Sequence, residues 1–134
     1  MELAGVVHAR RDLGADVTTH ERALEITEDL VRAYSRRGNY HSDAATSDAL
    51  GLPGLVAQGV QVAGPAYAEL LDAWGEDFLA RGIVDMKFVG VVLADTTVQA
   101  RVEIDGDHAT FEVRDVGADR VAVVGAAELR PERP

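Results

Sequence analysis

The sequence predicts an α+β fold in which a curved antiparallel sheet wraps around one long central helix. Three observations carry this expectation. Between Leu52 and Ala80, the apolar residues Ala63, Ala66, Tyr67, Leu70, Leu71, Trp74 and Phe78 fall three or four apart, which is one wide face of an α-helix. After Gly82 the apolar period changes to two, as in half-buried strands. Asp105-Gly106 then separates two such alternating runs, a strong signal for a tight hairpin.

Taken in order, Leu3 to Val7 reads as a short strand, Arg10 to Asp16 as a polar loop, and Arg22 to Ile26 as a brief strand. Thr27 is placed to cap a helix over 27–37. Glu28 and Asp29 sit in its first turn, where the helix dipole favours acids, and Gly38 follows as a C-terminal stop. Asn39-Tyr40-His41 is a loop. Ser42 can cap a second short helix over 43–50, closed by Gly51, and Leu52-Pro53-Gly54 is a turn. The central helix begins between Gln58 and Val60. Pro65 removes one backbone hydrogen bond and crowds the carbonyl of Gln61, so a kink or a separate first turn is expected there. Val60 and Val62 widen the apolar surface, so the first half of the helix should be covered nearly all round. Glu69, Asp72, Glu76 and Asp77 fall on the other side.

Residues 83–93 alternate as a strand, with Gly90 marking a bulge or bend. Val98, Ala100, Val102 and Ile104 alternate with Thr97, Gln99, Arg101 and Glu103, the cleanest half-buried strand in the chain. Ala109, Phe111 and Val113 form the return strand. Asp115 to Asp119 is a turn, and Arg120 to Leu129 is a last strand, apolar enough to be central.

The 134 residues suffice for one domain with a real core, spanning 1–134. There is no cysteine, so disulfides and thiolate metal sites are excluded. No stretch looks like a signal peptide or reaches membrane-spanning length, and a soluble cytoplasmic protein is expected. The net charge of −10 argues against nucleic acid as a partner, because phosphates would be repelled. No spacing suggests a metal site, and no cofactor is expected.

The order of elements resembles the hot-dog fold, and particular residues resemble the MaoC-like hydratase/dehydratase family. Asn39-Tyr40-His41-Ser42-Asp43 is similar to the family's G-D-x-N-P-x-H-x-D loop. Leu50-Gly51-Leu52-Pro53-Gly54 is similar to its G-x-P-G turn, and Val56-Ala57-Gln58-Gly59 to its A-H-G element. Phe88, Val92 and Asp95 resemble its F-x-x-x-V-x-x-G-D segment, with Ala94 in place of the glycine. The resemblance runs from about residue 22 to the C-terminus. Three positions depart from the pattern. Asn39 stands two before His41 rather than three, Arg36 stands where the family's catalytic aspartate would lie, and Gln58 replaces the histidine of A-H-G.

The resemblance implies hydration of an enoyl thioester, or dehydration of a 3-hydroxyacyl thioester, on coenzyme A or a carrier protein. Such chemistry needs a base, a donor to the developing enolate oxygen, and a group to hold water. Histidine suits the first role because its pKa lies near neutral, and backbone N–H groups at a helix start suit the second. His41 and Gly59 are the candidates, and by resemblance they meet in one pocket. Asn39 can orient water but cannot take a proton. Gln58 is a candidate amide donor or part of the helix cap. Tyr67 reads mainly as core or dimer packing and second as pocket wall. Arg36 and Arg37 read as surface charges complementing a helix end, or as contacts to a phosphate of coenzyme A or phosphopantetheine. Hot-dog thioesterases often carry a carboxylate on the central helix, but the spacing puts Glu69 opposite the apolar face, as a solvated or interface residue. His8, His20 and His108 read as surface residues. The missing aspartate leaves two alternatives: another enzyme on the same scaffold (thioesterase, isomerase or cyclase), or a non-catalytic subunit or binding module. A homodimer is expected, because pairing would cover an exposed sheet edge and helix flank.

Overall fold

The computed structural model describes residues 6–12, 17–34 and 55–132. Their order is β1 (Val6–Asp12), β2 (Val17–Ile26), α1 (Glu28–Tyr34), α2 (Gly59–Val62), α3 (Gly64–Trp74), α4 (Glu76–Arg81), β3 (Gly82–Phe88), β4 (Thr96–Asp105), β5 (His108–Asp115) and β6 (Arg120–Leu129). The six strands form one sheet in the order β1-β2-β4-β5-β6-β3, and every neighbouring pair is antiparallel. The architecture is the α+β one expected, and β6 lies inside the sheet as its apolar composition implied. The expected helix over 43–50 and the turn at 51–54 lie outside the described residues.

Alternation sets which face of the sheet meets the helices. On β4, Val98, Ala100, Val102 and Ile104 are buried, and on β5, Ala109, Phe111 and Val113 are. Antiparallel register stacks these rows, with Val102 opposite Phe111 and Ala100 opposite Val113. The Asp105-Gly106 signal is realised: Gly106 takes φ 59°, and β4 pairs with β5 up to Asp105 and His108. Gly125 on β6 serves packing instead. Its partner across the sheet is Phe111, and a Cβ at 125 would run into that ring.

The N-terminal strands are longer than the sequence suggested. β2 has ten residues, not the five of Arg22 to Ile26, and β1 runs through Arg10–Asp12, where a loop was expected. The cause is the inward row of β2. Its alternate residues Thr18, His20 and Arg22 are polar, and only Leu24 and Ile26 continue the apolar pattern, so the period-two signal fades. The hydrogen-bonded ladders to β1 and β4 hold this polar segment extended.

Thr27 caps α1 as expected, its Oγ1 accepting a hydrogen bond from Leu30 N at 3.1 Å. The central helix is in three pieces. Ala63 separates α2 from α3, with Pro65 in the first turn of α3, where its missing N–H costs nothing. That is the separate first turn expected of Pro65. Gly75, at φ 57°, ends α3 and reorients the chain into α4. The buried face of α3 carries Pro65, Ala66, Glu69 and Leu70, while Leu71 is 41 % exposed. At 3.6 residues per turn this face is rotated by roughly 90° from the one the apolar residues mark. Val60 is also exposed, contrary to the expectation that this half of the helix is covered all round.

Strand β3 stops at Phe88 rather than at residue 93. The N–H groups of Val89 and Gly90 both donate to Ala122 O, at 2.8 and 3.2 Å, and the chain bends at Gly90 as expected. From there it crosses to the segment that leads into α2.

Candidate functional site

Residues 55–57 are buried and paired with the chain that follows the Gly90 bend. Ala57 N donates to Val92 O at 2.8 Å, Ala94 N donates to Leu55 O at 2.8 Å, and Val56 bridges Leu93. This pairing aims the chain into α2. Gln58 is the N-cap, extended at φ −68° and ψ 143°, and its side chain makes no capping bond. The intrahelical ladder begins with Val62 N to Gln58 O at 3.0 Å and Ala63 N to Gly59 O at 2.9 Å. The N–H groups of Gly59, Val60 and Gln61 therefore have no acceptor within the helix. Gln61 Nε2 donates to Leu30 O at 3.0 Å, tying α2 to α1.

A cleft of about 420 Å³ opens at this helix start, walled by Val56, Gln58, Gly59, Val60, Phe88 and Val91 among others. The Phe88 ring lies on Gly59, so close that a Cβ there would come within 2.6 Å of it. Glycine stands here because the ring leaves no room for a side chain. The site is thus a largely apolar cleft whose wall includes the helix start at Gln58, Gly59 and Val60.

Of the residues singled out in the sequence, Gly59 and Gln58 line this cleft. Tyr67 does not. Its ring packs on Phe78 with centroids 6.1 Å apart, and burial raises its pKa above the usual tyrosine value, so it is a neutral phenol. Asn39, His41, Arg36 and Arg37 lie outside the described residues.

A second cleft, of about 440 Å³, lies between β2 and α3 and is lined by Thr18, His20, Glu69, Asp72, Ala73, Trp74, Ile104 and Gly106. Two expectations are corrected here. Glu69 is not solvated but 0 % exposed, and His20 is buried rather than on the surface. His108 is exposed, as expected. The reason is the polar inward row of β2. Arg22 Nε donates to Glu69 Oε1 at 3.1 Å, and Arg22 Nη2 donates to Asp72 Oδ2 at 2.7 Å. His20 Nδ1 lies 3.6 Å from Glu69 Oε2, and His20 Nε2 is 2.8 Å from Thr18 Oγ1. A buried carboxylate needs such partners. The sequence signal was there in Thr18-x-His20-x-Arg22, an alternating polar row that a solvent-facing strand shares.

The strand order, the wrapped helix and the cleft at its start define a hot-dog domain. The chain belongs to the MaoC-like family, since the model of the MaoC like domain matches residues 13–126. No curated protein sequence matches it. Among solved structures, it is similar to the R-hydratase PhaJ1 from Pseudomonas aeruginosa, at 19 % identity and a TM-score of 0.69, with 95 % of this chain and 90 % of that one covered. It is also similar to the (R)-hydratase from A. caviae involved in PHA biosynthesis, at 16 % identity and a TM-score of 0.64, with 87 % and 97 % covered. A third similar structure is the HadBC (3R-hydroxyacyl-ACP dehydratase) complex from Mycobacterium tuberculosis, at 18 % identity and a TM-score of 0.62, with 81 % and 90 % covered. At these identities the likeness is one of fold. Among the described residues, no helix is long and apolar enough to cross a membrane.

Proposed function

We propose that the chain is a hydratase or dehydratase acting on an enoyl or 3-hydroxyacyl thioester of coenzyme A or a carrier protein. The observation that carries this reading is the apolar cleft lined by the helix start at Gly59, in a chain of the MaoC-like family. In the hydration direction, His41 takes a proton from water as the hydroxyl adds to C3. The Gly59 N–H donates to the thioester oxygen while charge develops there, and a proton then returns to C2. Asn39 orients the water. Gln58 contributes to substrate binding, and Arg36 and Arg37 meet the carrier's phosphate. A panel of trans-2-enoyl thioesters followed by enoyl absorbance tests the reading. Loss of absorbance without thiol release is expected, whereas thiol release instead would identify a thioesterase.

Arg36, standing where the family's aspartate would lie, favours a second reading: a subunit that works only beside another chain. Similar structures include two complexes, HadBC and ChsH1-ChsH2. An inert purified chain that gains activity with a second subunit would support this reading over the first.

We further infer a homodimer. β3 is an edge strand, and Phe88, Val89, Val91 and Val60 expose apolar surface beside it. Phe88 and Val91 also wall the Gly59 cleft, so pairing there would close it. Light scattering at micromolar concentration should give twice the chain mass of 14.3 kDa, and a monomer would count against the pairing.

A further inference from the structure

We propose that Thr18, His20 and Glu69 form a second reactive centre, separate from the Gly59 cleft, that cleaves small carboxylic esters through an acyl-threonine. A hydroxyl, an imidazole and a carboxylate follow one another here. Thr18 Oγ1 is 2.8 Å from His20 Nε2, and Glu69 Oε2 is 3.6 Å from His20 Nδ1, on the opposite side of the ring. With this order, a proton taken at Nε2 is balanced by negative charge at Nδ1, the relation that activates a hydroxyl nucleophile in unrelated folds.

Two features set the cluster apart from an ordinary strand hydrogen bond between alternate residues. First, all three side chains line one cleft of about 440 Å³. Second, Glu69 comes from α3, is fully buried, and is steadied by Arg22, whose other end is held by Asp72. A purely structural ion pair between β2 and α3 needs only Arg22 and a carboxylate. It does not explain an imidazole placed between that carboxylate and a hydroxyl at the cleft.

The chemistry balances without any further reagent than water. Thr18 Oγ1 attacks the carbonyl carbon and its proton passes to His20 Nε2. The bond from that carbon to the alkoxide oxygen breaks, and the leaving group takes the proton from His20. Water, deprotonated by His20, then attacks the acyl-threonine, releasing the acid and restoring the Thr18 hydroxyl. Ala73, Trp74 and Ile104 in the wall favour a short apolar acyl group. Thr18 and His20 are the catalytic residues, and Glu69 is a positioning residue that acts through His20.

The test is intact-mass analysis of the full chain after brief exposure to p-nitrophenyl acetate, followed by peptide mapping. One acetyl group is expected on Thr18 in the wild-type protein. Thr18→Ser should keep it, and the isosteric Thr18→Val should lose it. Glu69→Gln should slow acetylation about 10²-fold, with partial rescue in Glu69→Asp, which a merely structural role would not produce. Absence of a Thr18 adduct in the folded wild type, or the same adduct pattern in Thr18→Val, overturns the proposal. The probe has no double bond to hydrate, so this result and the enoyl-thioester result are independent.

Discussion

Replacing Arg22 with alanine is expected to destabilise the fold by about 4 kcal/mol, several times the cost of replacing Glu69 with leucine. The asymmetry follows from where each charge sits. The Glu69 carboxylate is 0 % exposed, and Arg22, a permanently charged partner, lies at 3.1 Å. Removing the guanidinium leaves the enclosed carboxylate without that partner, the situation that makes breaking a buried pair costly. Removing the carboxylate is different. Leucine fills similar volume among Ala66, Leu70 and the sheet, and Arg22 keeps its 2.7 Å contact with Asp72 on the more exposed side. The desolvation cost of Glu69 disappears together with its attraction, so the net change should be within about 1 kcal/mol. In the double variant, the penalty of Arg22→Ala should shrink, giving a coupling of about 2 kcal/mol or more in a double-mutant cycle. Urea denaturation with equal slopes for the four proteins is the measurement. Equal costs for the two single variants, or no coupling, would mean that the Arg22–Glu69 pair does not fix α3 against β2.

The same residues show why some of the molecule was legible in the sequence and some was not. Strands β4, β5 and β6 were readable because each buries one apolar face, and the Asp105-Gly106 turn announces its own geometry. Thr27 and Pro65 were readable because capping and the missing proline N–H are local effects. The rotation of α3 was not. Apolar spacing placed its buried face over Leu71, but which face is buried depends on what β2 offers, and Arg22 lies 47 positions before Glu69. A polar inner row on a strand and an acid on a helix each look solvated alone, and only their meeting makes both interior. For the site, Gly59 at the helix start was legible only through the resemblance of Val56-Ala57-Gln58-Gly59 to the family's A-H-G element. The ring of Phe88 resting on that glycine was not, because the contact is made across 29 positions of sequence.

Replacing His41 with alanine is expected to lower kcat/KM for enoyl-thioester hydration by about 10²–10⁴-fold, with little change in stability. The reasoning begins with what the Gly59 cleft supplies. Backbone N–H groups can stabilise negative charge on the thioester oxygen, but they cannot move a proton. Neither Gln58 nor the apolar walls Val56, Val60, Phe88 and Val91 can accept one near neutral pH. Addition of water needs a base, and an imidazole is the side chain whose ordinary pKa lets it both take and return a proton at that pH. On the proposed mechanism, with Arg36 standing in place of the family's aspartate, that duty would fall on His41 alone. The arginine holds its proton and so cannot share the work. A single base implies a simple pH profile, with the wild-type rate falling as His41 becomes protonated and no second carboxylate limb below it. Steady-state kinetics on the enoyl panel, with unfolding curves for both proteins, is the measurement. Equal rates for wild type and His41→Ala would remove His41 from the mechanism and shift the search for a base to a second chain. A loss confined to KM would instead make His41 a binding residue.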